Sequence, residues 1–247
     1  MLLTWILGVS LLVSVAGVIF ASVFLFLPEG IRKALVPALL SYAAGALLGA
    51  SFLGILPHAL EESSAFSVMA ATLISIVVFF LLEKVVIWHH CHSGECDKLE
   101  TAGPLILIGD ALHNFIDGLV LSAAFLVSIP LGIASAVAIV AHEIPQEVGD
   151  FVILLHSGYS RARAFTMNMI SGLAFIPGAL LGYAAFAKAE PFMPLVLALA
   201  AGSFIYIAMA DLVPKLHVSL KLSESFTQLL LLAAGIGTIL LFGLHAH

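Results

Sequence analysis

DALHNFIDGLVLSAAFLVSIPLGIASAVAIVAHEIPQEVGD, residues 110–150, is the stretch whose reading decides the fold. It contains two long apolar runs, and each carries a cluster of ligand-type side chains. The first cluster is His113, Asn114 and Asp117; the second is His142, Glu143, Gln146, Glu147 and Asp150. At about 1.5 Å of rise per residue, runs of this length cross the hydrocarbon of a bilayer and carry both clusters inside it. Ionisable groups are costly at that depth and mark functional sites there.

Composition agrees with a membrane setting. Of the 247 residues, 62% are hydrophobic and 10% charged, against about 25% charged in soluble domains; the mean hydropathy is +1.18. Alternating strand patterns are absent, so the runs are helices rather than barrel strands. Eight spans fit, at roughly 2–27, 36–59, 66–88, 102–127, 131–155, 162–187, 192–214 and 226–244. The expected fold is thus all-α and integral to the membrane, one transmembrane transport domain over 1–247. The first run lacks a basic leader and reads as a retained helix rather than a cleaved signal. Short loops make neighbouring spans antiparallel. Eight of the nine Lys and Arg residues fall after spans one, three, five and seven; only Lys188 lies on the other side. The positive-inside rule makes those loops cytoplasmic and puts both termini outside, in a multi-pass protein of the cell (inner) membrane.

An internal repeat is legible. AAGALLGASFLGILPHAL begins at Ala43 in span two, and AAGSFIYIAMADLVPKLH begins at Ala200 in span seven. Gly45 and Pro57 are separated by the same interval as Gly202 and Pro214. The topology runs these spans in opposite directions, so spans 1–3 and 6–8 form an inverted repeat around spans 4–5, with substrate expected near the midplane.

The chemistry of the two clusters points to a metal ion. His113 and Asp117 are four apart and share a helix face, with Asn114 and Asp110 close to it. His142 and Gln146 are four apart, as are Glu143 and Glu147, and Asp150 extends the second row. Pro145 lacks an N–H, which predicts a kink and a free Ala141 carbonyl beside His142. Imidazole and carboxylate bind zinc at about 2.0–2.2 Å, and the same mixed set admits Fe²⁺, Mn²⁺, Co²⁺ and Cd²⁺. No thiolate is present to lock the ion in place, which suits release. Crowded carboxylates hold protons until a cation displaces them, so binding should weaken in acid. Simple interhelical hydrogen bonding is the alternative, but groups this numerous in two neighbouring spans are expensive to leave unpaired in lipid.

Elsewhere the signals are local. The segment 89–100 is read as a His- and Cys-containing cytoplasmic loop; His89, His90 and His92 there are either metal ligands or parts of a solvated linker. Cys91 and Cys96 stay reduced in a cytosolic loop. Asn168 in span six is either glue between helices or a group facing the clusters. Glu83 and Lys84, and Asp211 and His217, read first as interfacial or capping groups; His58 with Glu61 and Glu62 is either a cation-attracting entrance or a solvated helix end.

HNFIDG at 113–118 and HEIPQEVGD at 142–150 resemble the paired signatures of the ZIP family of divalent metal transporters, and in particular the subfamily whose fifth span reads HExPHExGD. FFLLEK at 79–84 and AGSFIYIAMADLVPKLH at 201–217 are similar to further family stretches. The resemblance implies a binuclear site between spans four and five. His113, His142 and Glu143 would hold the transported ion; Asn114, Asp117 and Asn168 would form a second site bridged by Glu143. Gln146 stands where the family usually has His or Glu, which removes a strong ligand. The implied mechanism is alternating access, with spans four and five moving against spans two and seven.

The expected function is import of a divalent cation, Zn²⁺ foremost, with no catalytic cofactor and no nucleic-acid partner; the partners are metal ions, the lipid bilayer and, in a homodimer, a second copy. An intramembrane metalloprotease is a competing reading, because HEIPQ begins like HExxH. Gln146 replaces its second histidine. A metal channel or sensor on the same scaffold is the other.

Overall fold

The computed structural model describes residues 1–91, 99–217 and 222–243. Among these residues all regular structure is helical, and eight helices are long and apolar enough to cross a membrane. They are span 1 (Leu2–Phe24), span 2 (Glu29–Glu62), span 3 (Ala65–Cys91), span 4 (Leu99–Val127), span 5 (Ile129–His156), span 6 (Arg161–Phe186), span 7 (Met193–Leu216) and span 8 (Leu222–Gly243).

Several helices outlast their apolar cores. Span 2 starts at Glu29 rather than at residue 36, so Arg32 and Lys33 lie in its first turns. Pro28 precedes it with an extended backbone, and Glu29 complements the helix dipole while pairing with Lys33 at 2.6 Å. Span 3 runs through Cys91 and span 4 begins at Leu99, and residues 92–98 of the loop expected over 89–100 lie outside the described residues. His89 and His90 sit on the backbone of the last turn of span 3; His92 lies outside the described residues.

The hairpin between spans 4 and 5 sets the depth of the site. Only Ser128 separates the two helices, and its hydroxyl accepts the Leu131 N–H at 3.2 Å as an N-cap, with Pro130 in the first turn. His113 lies 15 residues before Ser128 and His142 lies 14 after it. At about 1.5 Å per residue both stand roughly 21–22 Å from the turn, so the two clusters meet at one level.

The packing follows the inverted repeat. Span 2 packs most closely on span 8 and span 7 on span 3, while span 4 packs on span 6 and span 5 on span 1. These are corresponding pairs in the two copies, which gives one group of four helices (1, 4, 5, 6) and another (2, 3, 7, 8). Glycines permit the closest approaches. A Cβ built on Gly45 would collide with the Leu232 carbonyl, and one on Gly118 with the Phe175 carbonyl. Exposed Leu, Ile, Val and Phe residues cover the outer faces of spans 3 and 8, as lipid contact requires.

The π-type irregularities lie outside the span that carries Pro145. Span 5 is one unbroken helix with Pro145 inside it. Instead, π-helical segments interrupt span 2 over Ala50–Ile55 and span 7 over Ile207–Leu212. Both begin five residues after the repeat glycine and end two before the repeat proline. A proline ring crowds the carbonyl four residues earlier. For Pro57 and Pro214 that carbonyl belongs to Leu53 and Ala210, inside the wide turns, where the extra residue makes room. Pro145 has no such relief and is carried by the packing around span 5.

Candidate metal centre

Four side chains from the hairpin helices converge. His142 makes contacts at both ring nitrogens: its Nδ1–H donates to the Ala138 carbonyl at 3.0 Å, which leaves Nε2 as the atom that faces the cluster. That Nε2 is 3.1 Å from His113 Nε2, 3.0 Å from Asp117 Oδ2 and 3.6 Å from Glu143 Oε1. His113 Nε2 is 3.4 Å from Glu143 Oε1 and 3.8 Å from Asp117 Oδ2. Ligands of a tetrahedral ion with bonds of about 2.0–2.1 Å stand about 3.3 Å apart. The five separations bracket that value, so the group has the dimensions of a zinc coordination shell.

A second group abuts the first. Ligand oxygens of Asp110, Glu143 and Glu147 lie within 4.8 Å of one another, and Glu143 belongs to both groups. Asp110 Oδ1 accepts from Asn114 Nδ2 at 3.0 Å and from Gln146 Nε2 at 3.2 Å. Span 6 supplies Asn168, fully buried beside Glu147. Spans 1 and 6 approach the carboxylates through glycine: a Cβ on Gly17 would sit 3.7 Å from Glu143 Cβ, and one on Gly172 would sit 3.6 Å from Glu147 Oε1. From span 7, Phe204 packs edge-on against His142 with ring centroids 6.3 Å apart.

Burial makes this arrangement electrostatically incomplete. His142 is 0%, Asp117 1% and Glu143 3% exposed. Among the described residues, Asp117 Oδ1, Glu147 Oε2, Asp110 Oδ2, Asp150 Oδ2 and Asn114 Oδ1 have no hydrogen-bond partner, and Asp117 Oδ2 and Glu143 Oε1 face only the two imidazoles. Buried polar groups are nearly always satisfied, and a cluster of orphaned carboxylate oxygens calls for cations or protons.

The sequence-derived candidates are therefore distributed as follows. His113, His142 and Glu143 come together, and Asp117 joins them rather than standing with Asn114 and Asn168. Glu147 joins Asp110 and Glu143. Gln146 and Asn114 donate through their amide N–H groups to Asp110, which leaves the buried Asn114 Oδ1 without a partner among the described residues. Asp110 is the residue the sequence reading placed near the site without assigning to it. Its position three before His113 and seven before Asp117, on one helix face, is the signal that marks it.

Comparison with known proteins meets the same residues. The family model described as ZIP Zinc transporter matches residues 88–243, which include both groups. Zinc transporter ZIP13 of Pongo abelii is 35% identical over 225 residues, covering 83% of this chain and 66% of the relative. Zinc transporter foi of Drosophila melanogaster is 37% identical over 150 residues, 60% of this chain and 21% of its own. Metal cation symporter ZIP14 of Bos taurus is 42% identical over 129 residues, 52% of this chain and 26% of its own. The chain thus spans between a fifth and two thirds of the length of these relatives. Since one family model accounts for more than half of its length, and for every helix from span 4 to span 8, the chain belongs to the ZIP zinc transporter family.

Proposed function

We propose that this chain carries divalent cations, Zn²⁺ foremost, across the membrane into the cytosol by alternating access through a binuclear site between spans 4 and 5. The observation that carries the reading is the convergence of His113 Nε2, Asp117 Oδ2, His142 Nε2 and Glu143 Oε1 within 4.8 Å, at one depth, with carboxylate oxygens left unpartnered. One ion would take these four atoms. A second would take Asp110, Glu143 and Glu147, with Asn168 alongside and Glu143 shared. Family membership supports transport over proteolysis, and Gln146, bound to Asp110, offers no second zinc histidine for a protease. The orientation follows from the charge distribution of the loops, and the moving group from the division of the helices into 1, 4, 5, 6 and 2, 3, 7, 8.

The test is zinc uptake into proteoliposomes. A carrier gives saturable uptake; flux that rises linearly with zinc would replace this reading by a channel. Acid supplies a second check. Imidazole and carboxylate bind metal only when deprotonated, so the apparent KM for zinc, measured against buffered free Zn²⁺ at each pH, should rise as pH falls from 7.5 to 5.5. An unchanged KM over that interval would remove these side chains from the binding step.

Gln146→His gives a third check. The amide now occupies Asp110 Oδ1 as a donor. An imidazole there adds a borderline ligand beside the two groups, which should shift competition between Zn²⁺ and Mn²⁺ toward zinc by about tenfold. Equal competition in wild type and variant would show that this position does not set selectivity.

A further inference from the structure

A second site lies apart from the metal-binding groups. A cavity of about 370 Å³ opens where spans 1, 2, 5 and 6 end on the Arg- and Lys-rich face. Its nearest span 5 residue, Phe151, is four residues beyond Glu147, about 6 Å along the helix and one turn closer to the membrane surface than that group. The walls are mostly apolar, with Phe26, Phe151, Leu155 and Phe165 prominent, and the two charged residues are Arg32 and Arg161.

Neither arginine is in an ion pair among the described residues; Glu29, one turn from Arg32, is held by Lys33. Lys33 pairs with Glu29 at 2.6 Å and Lys215 with Asp211 at 2.7 Å, but among the described residues neither Arg32 nor Arg161 has a carboxylate within ion-pair distance. Arg32 Nε is buried and has no hydrogen-bond partner. Arg161 lies over the Phe26 ring, 5.6 Å from its centroid, at the first turn of span 6. Two guanidinium groups beside a helix N-terminus favour a phosphate oxygen, which accepts from the Arg32 Nε–H and from Arg161 with charge assistance. A free phosphate would leave the aromatic walls uncovered: Phe26 is 73% and Phe165 37% exposed. A phosphate that carries acyl chains covers both kinds of wall.

We propose that this cavity binds the headgroup of an acidic phospholipid, with Arg32 and Arg161 on the phosphate and the phenylalanines against the glycerol and upper acyl chains. Basic pockets between membrane helices at this level are suited to such headgroups.

Native mass spectrometry of the purified protein tests this, with dioleoylphosphatidylglycerol and dioleoylphosphatidylcholine added in equal amounts. At about a factor of five per basic residue near an anionic headgroup, wild type should retain the glycerol lipid over the choline lipid by about tenfold or more. R32Q/R161Q should abolish the preference. R163Q removes a charge from the same face, but Arg163 stacks on Tyr159 at 4.3 Å outside the cavity, so its preference should match wild type. Equal retention of the two lipids by wild type would overturn the proposal, and this arm holds even if the double variant does not fold. Loss of preference in R163Q equal to that in R32Q/R161Q would overturn it as well, in favour of diffuse surface attraction. So would displacement of the lipid by millimolar inorganic phosphate, which would make the occupant a soluble anion.

Discussion

Zinc uptake by Glu143→Ala vesicles is expected to fall to the level of protein-free vesicles. Glu143 is the one side chain common to both groups, and its Oε1 is 3.4 and 3.6 Å from the two imidazoles. Losing a second-shell partner typically costs a metal site 10–100-fold in affinity, and a direct ligand shared by two ions should cost at least about 100-fold. The companion His156→Ala separates this from general damage. His156 is on the same helix, exposed, with its Nδ1 on the Val152 carbonyl, and its removal should leave uptake unchanged. Saturable uptake by Glu143→Ala comparable to wild type would sink both the site and the mechanism built on it.

Gly235→Ala should destabilise the protein far more than Gly237→Ala, although the two glycines are on one helix and two residues apart. A Cβ at Gly235 meets the Tyr42 carbonyl and the Ala46 N–H, both backbone, while a Cβ at Gly237 has nothing within 4 Å. Backbone cannot swing aside as a side chain can, so span 8 would have to move off span 2. Overpacking of this kind costs about 1–3 kcal/mol or more, which for a chain of this size corresponds to a Tm lower by roughly 4–10 °C. Gly237→Ala gains helix propensity of about 1 kcal/mol and should be neutral or stabilising. Thermal unfolding in detergent decides between them; equal Tm values would mean that spans 2 and 8 are not in close contact.

The eight spans and the repeat were legible because hydrophobic length is a direct property of the chain, and because Gly45, Pro57, Gly202 and Pro214 are rare residues at equal spacing. The two clusters were legible because charge inside an apolar run stands out. Helix ends were less so: Glu29, Arg32 and Lys33 continue the helix of span 2 where hydropathy has already ended, since capping and ion pairing hold a helix together in water or headgroups as well. The grouping of the ligands was also beyond reach. Spacing places His113 and Asp117 on one face, but whether Asp117 meets His142 or Asn168 depends on the rotation of span 4 against spans 5 and 6, and glycines 118 and 178 set that contact. The π segments of spans 2 and 7 were not legible from Pro57 and Pro214 alone, because Pro145 sits inside a continuous span 5 and a proline's effect depends on what packs beside it.

The paired wide turns bear on the history of the chain. A π segment in an otherwise regular helix is what a single inserted residue leaves behind. Ala50–Ile55 and Ile207–Leu212 occupy the same place in the two copies. Had the ancestral half duplicated first, the same insertion would have had to occur twice, at one codon position, in genes already free to diverge. One insertion followed by duplication needs a single event. Parsimony thus favours a wide turn that was present before the three-span unit was copied in inverted orientation.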